Sequence, residues 1–187
     1  VQRLWRQPLP LLTLAGSAVV PYAVQALGMT SLNPPLSALV LMVALIPFMN
    51  SLRVLTRTKG LQRCFPYSVA EVKQAAMVVP ALLALLWTVA VFPAFLGLAG
   101  GVPVNPIDAV SAALVTGIAG LLAAVRWVAA KPADYSGPIV ATGMGAMPPG
   151  LMFSMLRGFD MIPLITLPTA FSLPAWAPTI IPVIPLS

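Results

Sequence analysis

Two oppositely charged side chains, Arg157 and Asp160, lie three residues apart in an apolar stretch of the sequence. On a helix, residues at this spacing share a face, so the two side chains could form an ion pair. A charge near the centre of a bilayer costs roughly 2.5–3.5 kcal/mol on insertion scales, which makes an intramembrane pair a candidate for ion transport. A structural staple near the membrane surface would explain the same spacing.

Residues for enzymatic chemistry are scarce. The chain has no His and a single Cys, Cys64, so a Ser–His arrangement is impossible and an ordinary transition-metal site is excluded. Its four acidic residues are scattered over the chain and form no carboxylate pair for acid–base catalysis. The glycine-rich stretch 143–150 lacks the Lys and Ser/Thr of a phosphate loop, so it predicts no ATP site. We therefore expect neither enzymatic activity nor a cofactor in this chain.

The composition is that of a membrane protein. Hydrophobic residues make up 59% of the 187 residues, charged residues only 7%, and the mean hydropathy is +0.97. Soluble domains carry roughly a quarter charged residues. The net charge of +6 is dispersed between apolar stretches instead of forming one basic surface. We therefore expect a lipid bilayer with anionic headgroups as the partner, and no nucleic acid.

Apolar stretches of about 20 residues, the length that crosses a bilayer, recur along the chain. They predict an all-α membrane protein, a bundle of about six transmembrane helices in a single transmembrane domain over residues 1–187, which we expect to be part of a longer chain. The predicted spans are 8–27, 35–55, 72–98, 107–129, 150–171 and an incomplete 173–187.

All ten basic residues can be placed on one side of this arrangement. They precede the first span, lie between the second and third, and flank the end of the fourth and the start of the fifth. Cytoplasmic loops retain positive charge. The pattern predicts a multi-pass protein of a bacterial cytoplasmic (inner) membrane with its N-terminus inside. The basic residues are Arg3, Arg6, Arg53, Arg57, Lys59, Arg63, Lys73, Arg126, Lys131 and Arg157.

Prolines and glycines indicate how the spans are shaped. Prolines inside spans lack a backbone N–H and should kink or break the helices; they are Pro21, Pro47, Pro80, Pro93, Pro163 and Pro168. Four prolines in 173–187 predict a broken or re-entrant segment before the last span, and 131–150 predicts an interfacial or re-entrant element. Gly117 and Gly120 predict close helix contacts in the fourth span.

The connection 56–75 is the only substantial polar loop. Ser68 followed by Glu71 predicts a capping box at the start of the third span. Upstream, Leu52, Leu55 and Leu61 alternate with basic residues, which favours a short amphipathic helix at the surface. The loop could serve as a basic anchor at the headgroups or as a docking element for a cytoplasmic partner.

Two stretches carry a family resemblance. Residues 51–87 combine a leucine/arginine segment, a Pro-Tyr-Ser turn and a proline-containing span, and resemble the cytoplasmic loop of permease subunits of type-2 ABC exporters. Residues 124–160, with Asp134-Tyr135 and Pro148-Pro149-Gly150, are similar to an uncharacterised family of bacterial, chiefly actinobacterial, membrane proteins. Those proteins resemble such permeases and contain two six-span halves, of which this chain would match the second over nearly its whole length.

The resemblance implies partners. The ATPase-coupling element would lie in Arg57–Glu71 and touch a separate cytoplasmic ABC ATPase, which would hold the ATP and Mg²⁺. The other half of the transmembrane domain would be a second partner. Residues 3–8 would form an interfacial segment, and 173–187 would approach an external re-entrant element. The residues assigned to coupling are Arg57, Lys59, Arg63, Pro66, Tyr67 and Glu71.

We therefore expect a transmembrane permease subunit of an ATP-driven exporter. Two alternatives remain open: a non-catalytic scaffold or assembly subunit of a membrane complex, and a secondary transporter that uses the Arg157/Asp160 pair. No aromatic cage or repeated polar face in the sequence indicates a substrate.

Overall fold

The computed structural model describes residues 8–57, 68–100, 103–130, 140–142, 145–147 and 156–170. Helices dominate these ranges, and short 3₁₀ turns join some of them. In chain order the elements are α1 (Pro8–Ser17), α2 (Val19–Ala26), a 3₁₀ turn (Thr30–Leu32), α3 (Asn33–Leu45), a second 3₁₀ turn (Ile46–Met49), α4 (Asn50–Arg57), α5 (Val69–Phe95), α6 (Pro106–Ala129), β1 (Val140–Thr142), β2 (Gly145–Met147) and α7 (Met161–Ala170).

Four helical stretches are long and apolar enough to cross a membrane. They are span 1 (Pro8–Ala26), span 2 (Thr30–Leu55), span 3 (Ala70–Phe95) and span 4 (Pro106–Ala129). These stretches overlap the first four spans expected from the sequence, with shifts at their ends. The fifth expected span, 150–171, is described only from residue 156, where α7 has 10 residues. The sixth, 173–187, lies outside the described residues.

Spans 1 and 3 run side by side in the same direction. The indole Nε1 of Trp87 donates a hydrogen bond to Ser17 Oγ at 2.9 Å. Further along both helices, the Tyr22 hydroxyl donates to the Ala90 carbonyl at 2.6 Å. Since residue numbers rise together in the two contacts, the helices are parallel.

Spans 2 and 4 are also parallel. A Cβ placed on Gly120 would lie 2.9 Å from the Ala38 carbonyl oxygen, and one on Gly158 would meet both the Ala123 carbonyl oxygen and Met42 Cε. Residue numbers therefore rise in the same direction along span 2, from Ala38 to Met42, and along span 4, from Gly120 to Ala123. Only residues 27–29 separate spans 1 and 2, and both α1 and α2 pack on α3, so these two spans are antiparallel. Since span 3 is parallel to span 1 and span 4 is parallel to span 2, consecutive spans alternate in direction.

Two prolines coincide with interruptions of the helical ladder. Pro21 has no N–H to donate to the Ser17 carbonyl, and α1 ends at Ser17. Pro47 likewise leaves the Val43 carbonyl without its helical donor, and span 2 passes through a 3₁₀ turn there. By contrast, α5 remains one helix of 27 residues although it contains Pro80 and Pro93.

Helix ends are closed by specific local hydrogen bonds. Ser68 and Glu71 form the predicted capping box, so this prediction is confirmed. The Asn105 side chain accepts from the Ile107 amide at 3.1 Å and caps α6, with Asp108 in the first turn as expected. At their other ends, α2 and α5 close with glycines of positive φ, Gly28 (74°) and Gly97 (84°). At each end, the amide of this glycine and the amide of the next residue donate hydrogen bonds to carbonyls of the last helical turn, which is a Schellman motif.

Helix α6 is the centre of the bundle because its packed face is made of small residues. It packs against α3, α5 and α7. A Cβ at Gly117 would collide with Thr88 Oγ1, and one at Gly120 would lie 2.9 Å from Leu41 Cδ2. The close contacts predicted for these glycines are therefore present. The buried residues of α6 are Ala109, Ala113, Thr116, Gly117, Ala119, Gly120, Ala123, Ala124 and Val128.

The described residues after α6 include a short β-hairpin. Strands β1 and β2 pair antiparallel, with Val140 opposite Met147 and Thr142 opposite Gly145. The sequence predicts an all-α bundle with an interfacial or re-entrant element over 131–150, and the described part of that element forms this hairpin. Strands of three residues are too short to produce a detectable hydrophobic period.

Substituting Gly120 with alanine should destabilise the bundle, because the added methyl group would press on the Ala38 carbonyl and on Leu41. Overpacking of this kind costs about 1–3 kcal/mol. The measurement is the midpoint of thermal unfolding of the detergent-solubilised protein, followed by tryptophan fluorescence.

Gly16→Ala is the matched control, since a Cβ on Gly16 meets nothing within 4 Å. It should unfold at or above the wild-type temperature, because alanine favours a helix over glycine by up to about 1 kcal/mol. Equal midpoints for the Gly120 and Gly16 variants would contradict the close contact.

Candidate functional site

The structure describes both flanks of the connection 56–75. On the first flank, α4 continues span 2, and Leu52 is buried in the bundle with 3% of its surface exposed while Arg53 is exposed. Arg57 is the last residue of α4. The helix is therefore amphipathic as expected, but it is attached to the bundle through its leucine and is not a separate helix lying on the membrane surface.

On the second flank, Ser68 fixes the first turn of α5. Glu71 Oε2 accepts from the Ser68 amide and from its hydroxyl, each at 2.8 Å, and the Glu71 amide donates to Ser68 Oγ at 3.3 Å. Glu71 is thus occupied with capping its own helix. Helix α4 also packs against α5, so the chain leaves and re-enters the bundle at neighbouring places. Four other residues assigned to coupling, Lys59, Arg63, Pro66 and Tyr67, lie outside the described residues.

The acidic residue of the predicted intramembrane pair has a different partner. Asp160 Oδ2 lies 3.0 Å from Arg126 Nη2, at the end of α6. Within the part of the chain that the structure describes, the ion pair of Asp160 is this one and not a pair with Arg157. The contact joins α6 to the segment before α7, which sequence spacing alone did not indicate.

The backbone between Arg157 and Asp160 explains why the pair expected from their three-residue spacing does not form. Residues 157–160 form turns and not a regular helix, and Gly158 has φ 97°. The rule that residues three apart share a face applies only to a continuous helix. Here Asp160 Oδ1 instead accepts from the Gly158 amide at 2.9 Å and from the Met161 amide at 3.1 Å. One oxygen of Asp160 therefore holds the turn and the first amide of α7, while its second oxygen pairs with Arg126.

The turn is seated closely on α6. A Cβ at Gly158 would lie 2.8 Å from the Ala123 carbonyl oxygen and 3.3 Å from Trp127 Cβ, so glycine is required both by this approach and by the positive φ. Next to it, the rings of Trp127 and Phe159 pack edge to face with centroids 5.6 Å apart. We call Arg126, Trp127 and residues 158–160 the α6–α7 junction.

The junction lies at the end of span 4 and not in its middle. Arg126 is three residues from the last residue of α6, and the Arg126 and Asp160 side chains are 32% and 42% exposed. A partly exposed pair gains little from attraction, roughly 0–1 kcal/mol when solvated. This geometry matches a staple between elements better than a buried ion relay.

A second polar cluster, not anticipated from the sequence, joins spans 1 and 2. Asn33 Nδ2 donates to Gln25 Oε1 at 3.2 Å, and the Ser37 hydroxyl donates to Asn33 Oδ1 at 2.8 Å. All three are at most 3% exposed. Three uncharged polar residues in an apolar stretch were the available signal, with Asn33 and Ser37 one helical turn apart. Because each buried group has a partner, the cluster fixes the turn between the two spans.

The described residues bring no group of three acidic or thiol side chains together, so these ranges form no metal site. The hydroxyl groups of three buried threonines are hydrogen-bonded within their own helices. Thr88, Thr116 and Thr166 each donate to the carbonyl four residues earlier in their own helix.

The double role of Asp160 predicts an order of stabilities. Asp160→Ala removes both amide contacts and the ion pair and should be the most destabilising, since one intramolecular hydrogen bond contributes about 0.5–1.5 kcal/mol. Asp160→Asn keeps an oxygen for the two amides and should lose less. Arg126→Gln should resemble Asp160→Asn. Thermal midpoints in detergent measure the series.

Arg157→Gln is the control, because it changes the same charge next to Asp160 without touching the observed pair. It should leave the midpoint unchanged. If Arg157→Gln destabilised the protein and Arg126→Gln did not, the assigned partner of Asp160 would be wrong.

Comparison with known proteins identifies one family. The model described as Family of unknown function (DUF6297) matches residues 1–138. No curated protein and no solved structure matches the chain. Since the match covers more than half of the 187 residues, this chain belongs to DUF6297, a family of unknown function.

Proposed function

We propose that this chain is the transmembrane permease part of an ATP-driven exporter in a bacterial cytoplasmic membrane, driven by a separate cytoplasmic ATPase. The observation that carries the proposal is the anchoring of the basic connection 56–75 at both of its ends. One end is attached through buried Leu52, and the other through the Ser68/Glu71 capping box. A force applied to this connection would reach two membrane-length helices at once.

Contacts inside the bundle give such a force a path. Helix α5 begins at the connection and continues for 27 residues. Far along it, Trp87 and Tyr22 tie spans 1 and 3 together through hydrogen bonds of 2.9 and 2.6 Å. A tilt of α5 would therefore carry span 1 with it. Moving packed helices as rigid bodies is the usual way in which transport proteins change shape.

The likeness of residues 51–87 to the coupling loop of type-2 ABC exporter permeases supports the same proposal. In this account the ATPase partner binds ATP and Mg²⁺ and contacts Arg57, Lys59 and Arg63, whose charge suits an acidic surface. The N-terminus lies in the cytoplasm, and a second transmembrane half completes the pathway. The chain itself carries out no hydrolysis.

A secondary transporter that uses an Arg157/Asp160 relay is a weaker candidate. Asp160 is held by Arg126 and by two backbone amides at the end of a span, where it is 42% exposed. A relay through the membrane would need ionisable groups deeper in the bundle. In the described parts of spans 1 to 4, the interior polar groups are Ser, Thr, Asn and Gln side chains.

The first test is to purify the full protein from native membranes in a mild detergent and identify the chains that accompany it. The proposal predicts an ATPase with phosphate-loop and signature motifs in stoichiometric amount. A scaffold would bring other membrane-complex subunits and no such ATPase, which would contradict the proposal.

The second test reverses charge in the connection. Arg63→Glu should reduce ATPase-coupled transport at least tenfold in reconstituted vesicles, while membrane insertion stays intact, because a repulsive charge replaces an attractive one at the partner surface. Substrate-stimulated ATP hydrolysis measures the coupling.

Lys131→Glu is the matched control, since it makes the same charge change on the same predicted side but outside the connection. It should couple normally. Equal loss in both variants, or none in either, would remove the connection from the mechanism.

A further inference from the structure

Arg157 carries a positive charge that the described part of the chain leaves unbalanced. It is exposed, and within the described ranges no carboxylate pairs with it. The nearest acid in sequence, Asp160, is already engaged by Arg126 and by the amides of Gly158 and Met161. Arg126 and Asp160 neutralise each other, so the α6–α7 junction and its flank keep one net positive charge.

The surroundings of Arg157 place this charge at the level of a membrane surface. Phe159, two residues after Arg157 in the turn before α7, forms an aromatic pair with Trp127 in the last turn of α6. Tryptophan concentrates at membrane–water interfaces, where its ring meets both headgroups and acyl chains. Arg126, three residues from the end of span 4, also fits this depth.

Apolar side chains flank the same charge. Leu156 is 58% exposed and Phe159 is 36% exposed, on either side of Arg157 in the sequence. Further along, Leu164 and Leu167 of α7 are 42% and 43% exposed. A cation with exposed apolar side chains beside it offers one ligand two kinds of contact: a phosphate group on the guanidinium and an acyl chain on the leucines.

We propose that Arg157, with Leu156 and Phe159, binds the headgroup phosphate and upper acyl chain of an anionic phospholipid at the α6–α7 junction. Guanidinium groups bind phosphate through two parallel N–H donors, which lysine does not offer. The net positive charge of the junction favours a lipid with a net negative headgroup over a zwitterionic lipid, whose own cation would be repelled. The site is independent of the transport proposal.

The experiment counts bound lipids by native mass spectrometry of the purified full protein in a neutral detergent. The probes are a phosphatidylglycerol and a phosphatidylcholine with identical acyl chains. For Arg157→Gln, phosphatidylglycerol affinity should fall about fivefold, the amount expected for one cation near an anionic surface. Phosphatidylcholine binding should be the same as in wild type.

Two variants make the result decisive. Lys73→Gln removes the same charge from the start of α5 and should retain nearly all phosphatidylglycerol binding. Arg157→Lys should bind with intermediate affinity, which would show that a loss in Arg157→Gln does not come from misfolding. Equal losses for Arg157→Gln and Lys73→Gln would mean diffuse attraction without a site, and no loss for Arg157→Gln would equally overturn the proposal.

Discussion

The close approach of α6 to its neighbours is the contact on which the rest of the bundle depends. In lipid, moving an apolar side chain from the acyl chains to a helix interface gains no hydrophobic free energy. Helices therefore associate through tight packing and hydrogen bonds between them. Gly117 and Gly120 bring the backbone of α6 against Thr88 of α5 and Ala38 of α3. The same small-residue face includes Ala123, against which Gly158 packs in the turn before α7. One helix thus sets the positions of three others.

Polar contacts add specificity to this packing at defined levels of the bundle. The Gln25–Asn33–Ser37 cluster fixes the turn between spans 1 and 2, while Trp87 and Tyr22 fix the register of span 3 against span 1. At the C-terminal end of span 4, Asp160 combines hydrogen bonds to two backbone amides with an ion pair to Arg126. The polar groups of Gln25, Asn33, Ser37 and Trp87 are buried, so they would be costly to leave unpaired in an apolar medium. The basic connection between spans 2 and 3 is therefore attached to a framework of defined geometry.

The sequence predicted much of this framework for clear physical reasons. Span length and hydropathy follow from bilayer thickness, and the Ser68/Glu71 box and the small residues of α6 act through local rules, so all of these were accessible. The partner of Asp160 was not, because Gly158 breaks the helix on which the three-residue spacing relies. The Trp87–Ser17 contact and the β-hairpin depend on how distant or irregular segments meet, which periodicity does not encode. The proposed coupling role of the connection rests on resemblance and on the attachment of both its ends to the bundle.

The proposed orientation, with the basic connection in the cytoplasm and consecutive spans alternating in direction, is tested most directly by the accessibility of Cys64. In a background without other cysteines, a membrane-impermeant maleimide should label Cys64 in inside-out vesicles and not in right-side-out vesicles. With Cys64 replaced by serine, a cysteine at exposed Val104, in the connection before span 4, should show the reverse pattern. Labelling of Cys64 from the outside, or labelling of both positions from the same side, would contradict the account.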